Sequence, residues 1–189
     1  PRSSSAASDV YKRQLINRIK GAINKNSQVY WVCPLIDESE SELIGIEDLE
    51  KILKKEFDSQ DYEIIHGKMK DKDKQKILSD FKEKKTKILL ATTVIEVGID
   101  VPDANIMVIE NSERFGLAQL HQLRGRVGRG EKESFCILMH NDSLTELPEK
   151  RLQIITETND GFVIAEEDLK LRGPGAVSYT HLTLPTKNE

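Results

Sequence analysis

Cysteine is scarce in this sequence, and long apolar segments are absent. The two cysteines, Cys33 and Cys136, each lie inside a short apolar run and lack the paired spacing of a metal or redox site, so we expect buried, reduced thiols. No apolar run reaches the roughly 20 residues that a membrane-spanning helix needs, and no segment resembles a signal peptide. The expectation is therefore a cytoplasmic protein with no membrane partner and no metal held by cysteine.

The sequence also lacks the composition of a disordered chain. Of its 189 residues, 38% are hydrophobic and 32% are charged, which is typical of one globular domain, with or without an appendage. The formal net charge of −4 argues against non-specific binding of nucleic acid over the whole surface. A local basic groove remains compatible with this charge, because the affinity for phosphates depends on the charges at the contact.

Both ends of the chain differ from its middle. Residues 1–14 are rich in serine and alanine, and residues 176–189 show neither helical nor strand patterning. Both stretches resemble translated adaptor sequence, so we predict non-native scars there, with natural flexible termini as the alternative. Between them, residues 15–145 are expected to form one lobe, and residues 146–175 a helical hairpin with the start of a loop.

The middle of the chain alternates between strand and helix patterns. Short apolar, β-branched or aromatic runs predict strands, and apolar residues at helical spacing predict helices. The predicted strands span residues 29–35, 62–65, 87–91, 106–110 and 134–140, and the predicted helices span residues 15–25, 46–57, 71–83, 149–158 and 165–171, with a further helix beginning at 117. Asp71 is placed to cap the third helix. Apolar strands separated by helices predict an α/β fold with a mostly parallel sheet flanked by helices, plus a C-terminal helical hairpin.

Polar residues follow the predicted strands at the ends where ligands of an open parallel sheet bind. His66 and Lys68 come directly after the second strand. Thr92 follows the third strand, and residues 96–100 (EVGID), with two acidic residues and a glycine, come shortly afterwards. These polar, glycine-containing loops after the strands are what a sheet edge that binds phosphate groups would need.

The most distinctive motif is a cluster of arginines and glycines at residues 122–130, which read QLRGRVGRG. If the helix that begins at 117 continues through this motif, Gln122, Arg126 and Arg129 fall on one face, and Arg124 points elsewhere. Glycines allow the backbone to approach a partner closely, and guanidinium groups suit phosphate oxygens. A phosphate-binding segment is therefore predicted, and a solvated basic helix end is the alternative.

Two segments resemble motifs of a known enzyme class. Residues 91–102 (ATTVIEVGIDVP) and 122–129 (QLRGRVGR) resemble motifs V and VI of superfamily 2 helicases, in the same order and at similar spacing. More narrowly, residues 114–130 together with 158–175 resemble the RecG family of bacterial helicases, which remodel branched DNA such as stalled forks and Holliday junctions in recombination and repair. The resemblance implies a second RecA-like lobe at residues 15–145, with ATP in a cleft between it and a first lobe.

The resemblance also implies roles for individual residues at the nucleotide. Arg126 and Arg129 would act as arginine fingers on the γ-phosphate, with Gln122 nearby. Gly98 would line the nucleotide cleft, and Asp100 would approach the ribose hydroxyls. The implied cofactor is ATP with Mg²⁺.

On the DNA side, the resemblance implies that Thr92 contacts the nucleic-acid backbone. His66 and Lys68 resemble a loop that touches the DNA strand. Without the resemblance, the residue pattern favours Thr92 as a strand-end residue that hydrogen-bonds within its own turn. For His66, a turn residue held by local hydrogen bonds is an equally good explanation. Three further residues match positions that couple ATP turnover to DNA translocation: Glu96, Arg151 and Arg172.

Two motifs that such a motor needs are missing from the sequence. No Gly-x-x-x-x-Gly-Lys-Ser/Thr segment is present to cradle phosphates, and no Asp-Glu-x-His or Asp-Glu-Ala-Asp segment is present to bind Mg²⁺. ATP and Mg²⁺ would therefore be held mainly by the first RecA-like lobe of the same full-length protein, which would also carry a wedge domain. We expect branched or duplex DNA as the partner, a monomeric protein, and no ATPase activity from this chain alone.

Three alternatives to this interpretation exist, one of them another DNA motor and two of them from different classes of protein. The transcription-repair coupling translocase Mfd has very similar motifs, but His121 and residues 159–162 and 171–175 favour the RecG family. A non-catalytic α/β module that binds partners or nucleic acid and has lost the motor role is a second alternative, and the intact Arg126 and Arg129 count against it. A nucleotide-binding enzyme of Rossmann type would need a glycine-rich turn after the first strand, whereas residues 36–38 read IDE, so this alternative fails.

Overall fold

The computed structural model describes residues 4–34, 42–92, 104–127 and 133–173. The strands in these ranges are β1 (Gln28–Cys33), β2 (Tyr62–Ile65), β3 (Ile88–Thr92), β4 (Ala104–Ile109) and β5 (Phe135–Leu138). They form one sheet in the order β2-β3-β1-β4-β5, and every neighbouring pair is parallel. The predicted α/β fold with a parallel sheet is confirmed.

Helices connect the strands and flank the sheet. Those in the described part of the chain are α1 (Ser4–Ile23), α2 (Glu42–Glu56), α3 (Asp71–Lys82), α4 (Leu117–Arg124), α5 (Glu146–Glu157) and α6 (Gly161–Arg172). A short 3₁₀ turn, Ser112–Arg114, precedes α4. Each predicted helix is present, and the predicted C-terminal helical hairpin corresponds to α5 and α6.

The central strands are buried over their whole length. All residues of β1, β3 and β4 are buried. In a sheet covered on both faces, side chains that alternate along a strand enter two separate apolar layers. Tyr30 and Val32 of β1 enter one layer, while Val29, Trp31 and Cys33 enter the other. Both faces of β1 are therefore apolar, which is why its residues from Val29 to Cys33 form a continuous apolar and aromatic run.

The helices divide between the two faces of the sheet. We call them the α4 face, whose layer contains Tyr30, and the α1 face, whose layer contains Trp31. The α4 face receives buried side chains from α3, α4, α5 and α6, namely Phe81, Leu120, Ile155 and Ile164. The α1 face receives side chains from α1 and α2, including Ile19 and Leu53. The C-terminal hairpin therefore packs into the same core layer as α4.

The first helix begins well before its predicted start at residue 15. Helix α1 runs from Ser4, so most of the segment predicted as a scar is helical. Alanine and serine are compatible with a helix, although the apolar residues that hold α1 against the sheet begin only at Leu15. The division of the chain into scars, lobe and hairpin stays a prediction.

The two predicted helix starts at aspartates have different outcomes. In α3, Lys70 is the N-cap residue and Asp71 is the first helical residue, so the prediction that Asp71 caps this helix is wrong. Asp71 instead lies within the first turn, where its negative charge suits the positive end of the helix dipole. Asp160 lies in the predicted turn before α6 and does cap that helix, because its carboxylate accepts the backbone N–H of Phe162 at 2.8 Å.

Candidate functional site

The carboxyl ends of four neighbouring strands bring functional side chains into one row. Cys33 of β1 pairs in register with Thr92 of β3. If the register of β2 with β3 is extended by one residue, His66 lies beside Thr92. If the register of β4 with β1 is extended in the same way, Glu110 lies beside Cys33. The structure thus brings together two of the residues predicted to contact DNA, at the edge where open parallel sheets bind ligands.

At the ends of β2 and β3, two polar atoms of this row have no hydrogen-bond partner among the described residues. They are Oγ1 of Thr92, a residue that is 2% exposed, and Nδ1 of His66. Buried polar atoms in folded proteins nearly always have a partner, because an unpaired atom costs free energy. The ends of β2 and β3 therefore have unused hydrogen-bonding capacity within the described part of the chain.

Thr92 projects to the α1 face of the sheet. Leu90 lies two residues earlier on β3 and belongs to the apolar layer of that face, and side chains two apart on a strand share a face. Lys12 of α1 also reaches the carboxyl end of the sheet. Its Nζ lies 3.4 Å from Oε1 of Glu110, which is an ion-pair distance without hydrogen-bond geometry.

The turn after β2 exposes Lys68 and is held by its backbone. The N–H of Met69 donates to the carbonyl of His66 at 3.2 Å, and the ammonium of Lys74 donates to the carbonyl of Gly67 at 3.0 Å. The turn therefore uses the main chain of His66 and leaves its ring Nδ1 unpaired. Lys68 is exposed beside it and can reach an anion in solvent.

Helix α4 ends before the arginine motif is complete. It spans Leu117–Arg124, and a turn begins at Gly125. The alignment of Gln122 with Arg126 and Arg129 required a continuous helix, and this condition is not met. Glycine has a low helix propensity, which explains why the helix ends at this point. Gln122 is exposed on α4, and Arg126 is half-buried in the turn that follows.

Arg126 lies on the α4 face, opposite to Thr92. Burial raises the pKa of the Tyr30 phenol to about 12, and the positive charge of Arg126 acts in the other direction on the same group. Leu123 and Val127, which flank Arg126 in the sequence, pack against the apolar layer of the α4 face, so the turn that carries Arg126 lies on that side of the sheet. Arg126, predicted for the nucleotide, and Thr92, predicted for DNA, therefore lie toward opposite faces of the sheet.

The two arginines predicted to couple ATP turnover to translocation have different surroundings. Arg151 of α5 donates from its guanidinium to the carbonyl oxygens of Phe115 at 3.0 Å and Glu113 at 3.2 Å, just before α4. Arg172 at the end of α6 is exposed and pairs with Asp168 one turn earlier, at 2.7 Å. Of the two, Arg151 is the one in contact with the segment that leads into α4.

Arg124 has no predicted role, yet it connects α4 to the hairpin. Its guanidinium donates to the carbonyl oxygens of Ile155 at 2.5 Å and Thr158 at 2.9 Å. These acceptors are main-chain atoms 31 and 34 residues further along the chain. Any residue type supplies such a carbonyl, so no signal in the sequence pattern could have identified these partners.

The remaining predicted site residues lie outside the described residues: Glu96, Gly98, Asp100 and Arg129. Within the described ranges, no three His, Cys, Asp or Glu side chains are placed to hold a metal ion. In the same ranges, no helix is both long enough and apolar enough to cross a membrane.

We expect both thiols to resist alkylation in the folded chain at mildly alkaline pH. Both cysteines are free. Burial, assisted by the Glu110 carboxylate, raises the pKa of Cys33 far above its usual value, and burial raises the pKa of Cys136 to about 11. Because the thiolate is the reactive form, labelling with iodoacetamide, read by mass spectrometry, should require unfolding in urea. Rapid labelling of either cysteine in the folded chain would contradict this expectation.

The raised thiol pKa values also give stability a pH dependence. A group whose pKa is higher in the folded than in the unfolded chain contributes its full stabilisation when the pH lies below its pKa in the unfolded chain, here 9.0. For Cys136, this contribution is lost as the pH rises through about 11. The free energy of unfolding should therefore fall over this alkaline range.

The sheet and the arginine motif together define a class of protein. A five-stranded parallel sheet flanked by helices, as found here, is the fold of a RecA-like helicase lobe. The chain belongs to the helicase conserved C-terminal domain family, whose model matches residues 11–131.

Among curated proteins, the chain is similar to the ATP-dependent DNA helicase RecG of several bacteria. It is 49% identical over 185 residues to the protein of Pasteurella multocida (strain Pm70), a match that covers 97% of this chain and 27% of that protein. It is 51% identical over 164 residues to the protein of Treponema pallidum (strain Nichols), covering 84% of this chain and 23% of that protein. The chain therefore spans about a quarter of the length of the curated relatives it matches.

Comparison with solved structures supports the same family and the same fold. RecG bound to a three-way DNA junction has a TM-score of 0.72 and 44% identity to this chain, covering 87% of this chain and 21% of that one. The C-terminal domain of the DEAD-box protein Dbp5 has a TM-score of 0.52 at 20% identity, covering 76% and 81%, and this likeness supports the fold alone. The predicted resemblance to the RecG family is confirmed.

Proposed function

We propose that this chain is the second motor lobe of an ATP-dependent DNA helicase that remodels branched DNA. The observation that carries the proposal is the pair of unpaired, buried polar atoms, Thr92 Oγ1 and His66 Nδ1, side by side at the carboxyl ends of β3 and β2. An edge that retains such groups is suited to a polar ligand, and the similarity to RecG supports DNA as that ligand.

On the nucleotide side, Arg126 supplies a positive charge that stabilises the γ-phosphate as it is transferred. Its half-buried position in a turn suits this role, because a guanidinium fork matches phosphate oxygens and is stronger where water is partly excluded. Arg129 is proposed as the second arginine finger, with Gln122 exposed nearby on α4. Gly98 and Asp100 are proposed to line the cleft and approach the ribose.

On the DNA side, Thr92, His66 and Lys68 contact the phosphate backbone. Thr92 and His66 offer hydrogen bonds, and the exposed ammonium of Lys68 offers charge. Because the formal net charge of the chain is −4, affinity for DNA must come from such local groups and not from the surface as a whole.

Nucleotide binding requires a partner lobe in this proposal. The chain offers arginines and a glutamine that fit a triphosphate, whereas its sequence contains neither a P-loop nor an acidic metal-binding motif. ATP and its Mg²⁺ are therefore proposed to be held mainly by a first RecA-like lobe of the same protein, which also carries a wedge domain. Coupling between the two sites is assigned to Glu96, Arg151 and Arg172.

The proposal is tested by a chimaera. The segment of Pasteurella multocida RecG that aligns with this chain is replaced by it, and the unwinding of a three-way DNA junction is measured together with ATP turnover. We expect the chimaera to unwind the junction with ATP, and we expect the 189-residue chain alone to show no turnover. A folded chimaera that binds both DNA and ATP without unwinding would contradict the proposal, as would turnover by the isolated chain.

A matched pair of lysine variants tests the DNA side of the same chimaera. Lys68→Ala removes an exposed ammonium from the turn after β2, and Lys82→Ala removes one from the opposite end of α3. If Lys68 neutralises one phosphate, its loss should reduce the slope of log affinity against log salt by about 0.9. The Lys82 variant should leave this slope unchanged. Equal slopes in the two variants would remove Lys68 from the proposed interface.

A further inference from the structure

Lysines are concentrated in the turn after β2 and in the first half of α3. Residues 68–76 read KMKDKDKQK, so five lysines stand against two aspartates. The formal charge of this segment is therefore +3, whereas that of the whole chain is −4. A segment whose charge opposes that of the rest of the molecule attracts anions locally.

One of these lysines is held within the protein, and the other four are not. The ammonium of Lys74 donates to the carbonyl of Gly67 at 3.0 Å and lies 3.6 Å from a carboxylate oxygen of Asp71, so Lys74 holds the turn against the helix. Four exposed ammonium groups have neither an ion-pair nor a hydrogen-bond partner within the described part of the chain: those of Lys68, Lys70, Lys72 and Lys76. We call Lys70, Lys72 and Lys76 the α3 lysine strip, and Lys68, which is proposed to contact DNA, precedes it.

The strip lies on the outward side of α3. Ile77 and Phe81 are buried beneath the helix, whereas Lys72 and Lys76 lie one turn apart on the side away from them. Like charges four residues apart on a helix repel each other, so this pair destabilises the helix unless an anion binds to it. Repulsion and exposure together indicate a surface for an anionic partner.

The unpaired positive charge of this side of α3 ends one turn before the helix does. Further along the same side, Ser79 donates to the carboxylate of Glu83 at 3.2 Å, and Glu83 pairs with Lys85 at 2.8 Å. The strip is therefore limited to the start of α3, which follows β2 at the carboxyl edge of the sheet. It begins four residues after His66 and so continues the row of side chains proposed to contact DNA.

We propose that the α3 lysine strip binds the phosphate backbone of a double-stranded DNA arm that continues from the strand at the sheet edge. The proposal rests on the proposed function in placing DNA at His66 and Thr92. Duplex DNA presents about one negative charge per 1.7 Å of its axis, and lysine binds phosphate as a point charge. Proteins hold single-stranded DNA largely by stacking bases on aromatic side chains, and residues 66–76 contain no Phe, Tyr or Trp. The strip therefore fits a duplex better than a single strand.

The proposal is tested by the salt dependence of DNA binding by the chimaera. Lys72→Ala combined with Lys76→Ala removes two ammonium groups, and alanine favours the helix. For the three-way junction, the slope of log affinity against log salt should fall by about 1.8, which is about 0.9 for each of two phosphates. For a single strand of the same length as one junction strand, the slope should stay unchanged.

The matched control combines Lys55→Ala with Lys82→Ala. Both lysines are exposed and lie in the last turn of a helix that precedes a strand, at the amino edge of the sheet. The control changes the net charge by the same amount and should leave both slopes unchanged. If the Lys72 and Lys76 variant shows the slope of the control on the junction, the proposal is overturned. Equal reductions for the junction and the single strand would overturn the assignment to duplex DNA.

Acetylation of lysines in the 189-residue chain keeps the test independent of the chimaera. At low ionic strength, where phosphate contacts are strongest, added duplex DNA should slow acetylation of Lys72 and Lys76 several-fold relative to Lys55 and Lys82, as read by mass spectrometry. Acetylation of Lys72 and Lys76 at the same rate with and without the duplex would overturn the proposal. If the unmutated chimaera binds the junction without unwinding it, the proposed function fails, while the slopes and the acetylation rates still decide whether the strip binds duplex DNA.

Discussion

Replacing Arg126 by alanine should reduce the ATP turnover of the chimaera by roughly 10³–10⁵-fold, the range by which arginine fingers accelerate phosphoryl transfer. The loss should appear in kcat, because the guanidinium stabilises charge that develops in the transition state. Arg126→Lys should recover little of the activity, since an ammonium cannot make the bidentate contact of a guanidinium. Turnover is measured with saturating junction DNA.

The position of Arg126 supports an effect on ATP turnover and not on DNA binding. It lies in the turn whose Leu123 and Val127 pack against the α4 face, whereas Thr92 projects to the α1 face. The variant should therefore bind junction DNA with unchanged affinity. Arg114→Ala removes an exposed arginine from the turn before α4 and serves as the matched control. If Arg126→Ala keeps nearly all of the turnover, or if the two variants lose it equally, Arg126 is not an arginine finger.

The second large effect is expected on stability. Phe81→Ala should lower the free energy of unfolding of the chain by about 3–5 kcal/mol, the usual cost of truncating a buried aromatic side chain. Phe81 has no exposed surface and packs from α3 into the core layer of the α4 face. Its removal loses the apolar burial of the ring and leaves a cavity that close-packed neighbours fill only in part.

Phe162→Ala is the matched control for this substitution. Phe162 lies in the first turn of α6 and is 90% exposed, so the same change of side chain removes almost no buried surface. Its effect on the free energy of unfolding should stay within about 0.5 kcal/mol. Urea unfolding followed by circular dichroism measures both values. Similar losses in the two variants would show that the core layer of the α4 face is not packed as described.

The elements of the fold were predictable because their signals are local. β2 agrees residue for residue with the predicted strand at 62–65, and α3 begins at the predicted residue, Asp71. Apolar spacing encodes which side of an element is buried, and this spacing is written into a few consecutive residues. Chemical motifs are local in the same way, so the arginine motif and the resemblance to helicases are visible in the amino-acid sequence alone.

Helix ends were less predictable because they depend on competing local preferences and on distant contacts. Helix α1 begins at Ser4, although residues 4–14 show no sustained apolar periodicity. Helix α4 ends at Arg124, and Arg124 donates there to the carbonyl oxygens at the end of α5. The cap of α3 falls on Lys70 and not on Asp71, one residue from the prediction. In each case the pattern indicates that a helix exists, and the boundary depends on more than the pattern.

The sequence by itself determined the class of fold, the family and the residue types available for phosphate and DNA contacts. Only the tertiary structure decided that Thr92 and Arg126 lie toward opposite faces of the sheet, and that Arg124 serves α5. The physical reason is that periodicity assigns a residue to one side of its own element, whereas its neighbours depend on which other element packs there. Main-chain carbonyls, the partners of Arg124 and Arg151, are the same for every residue type and leave no mark on the sequence.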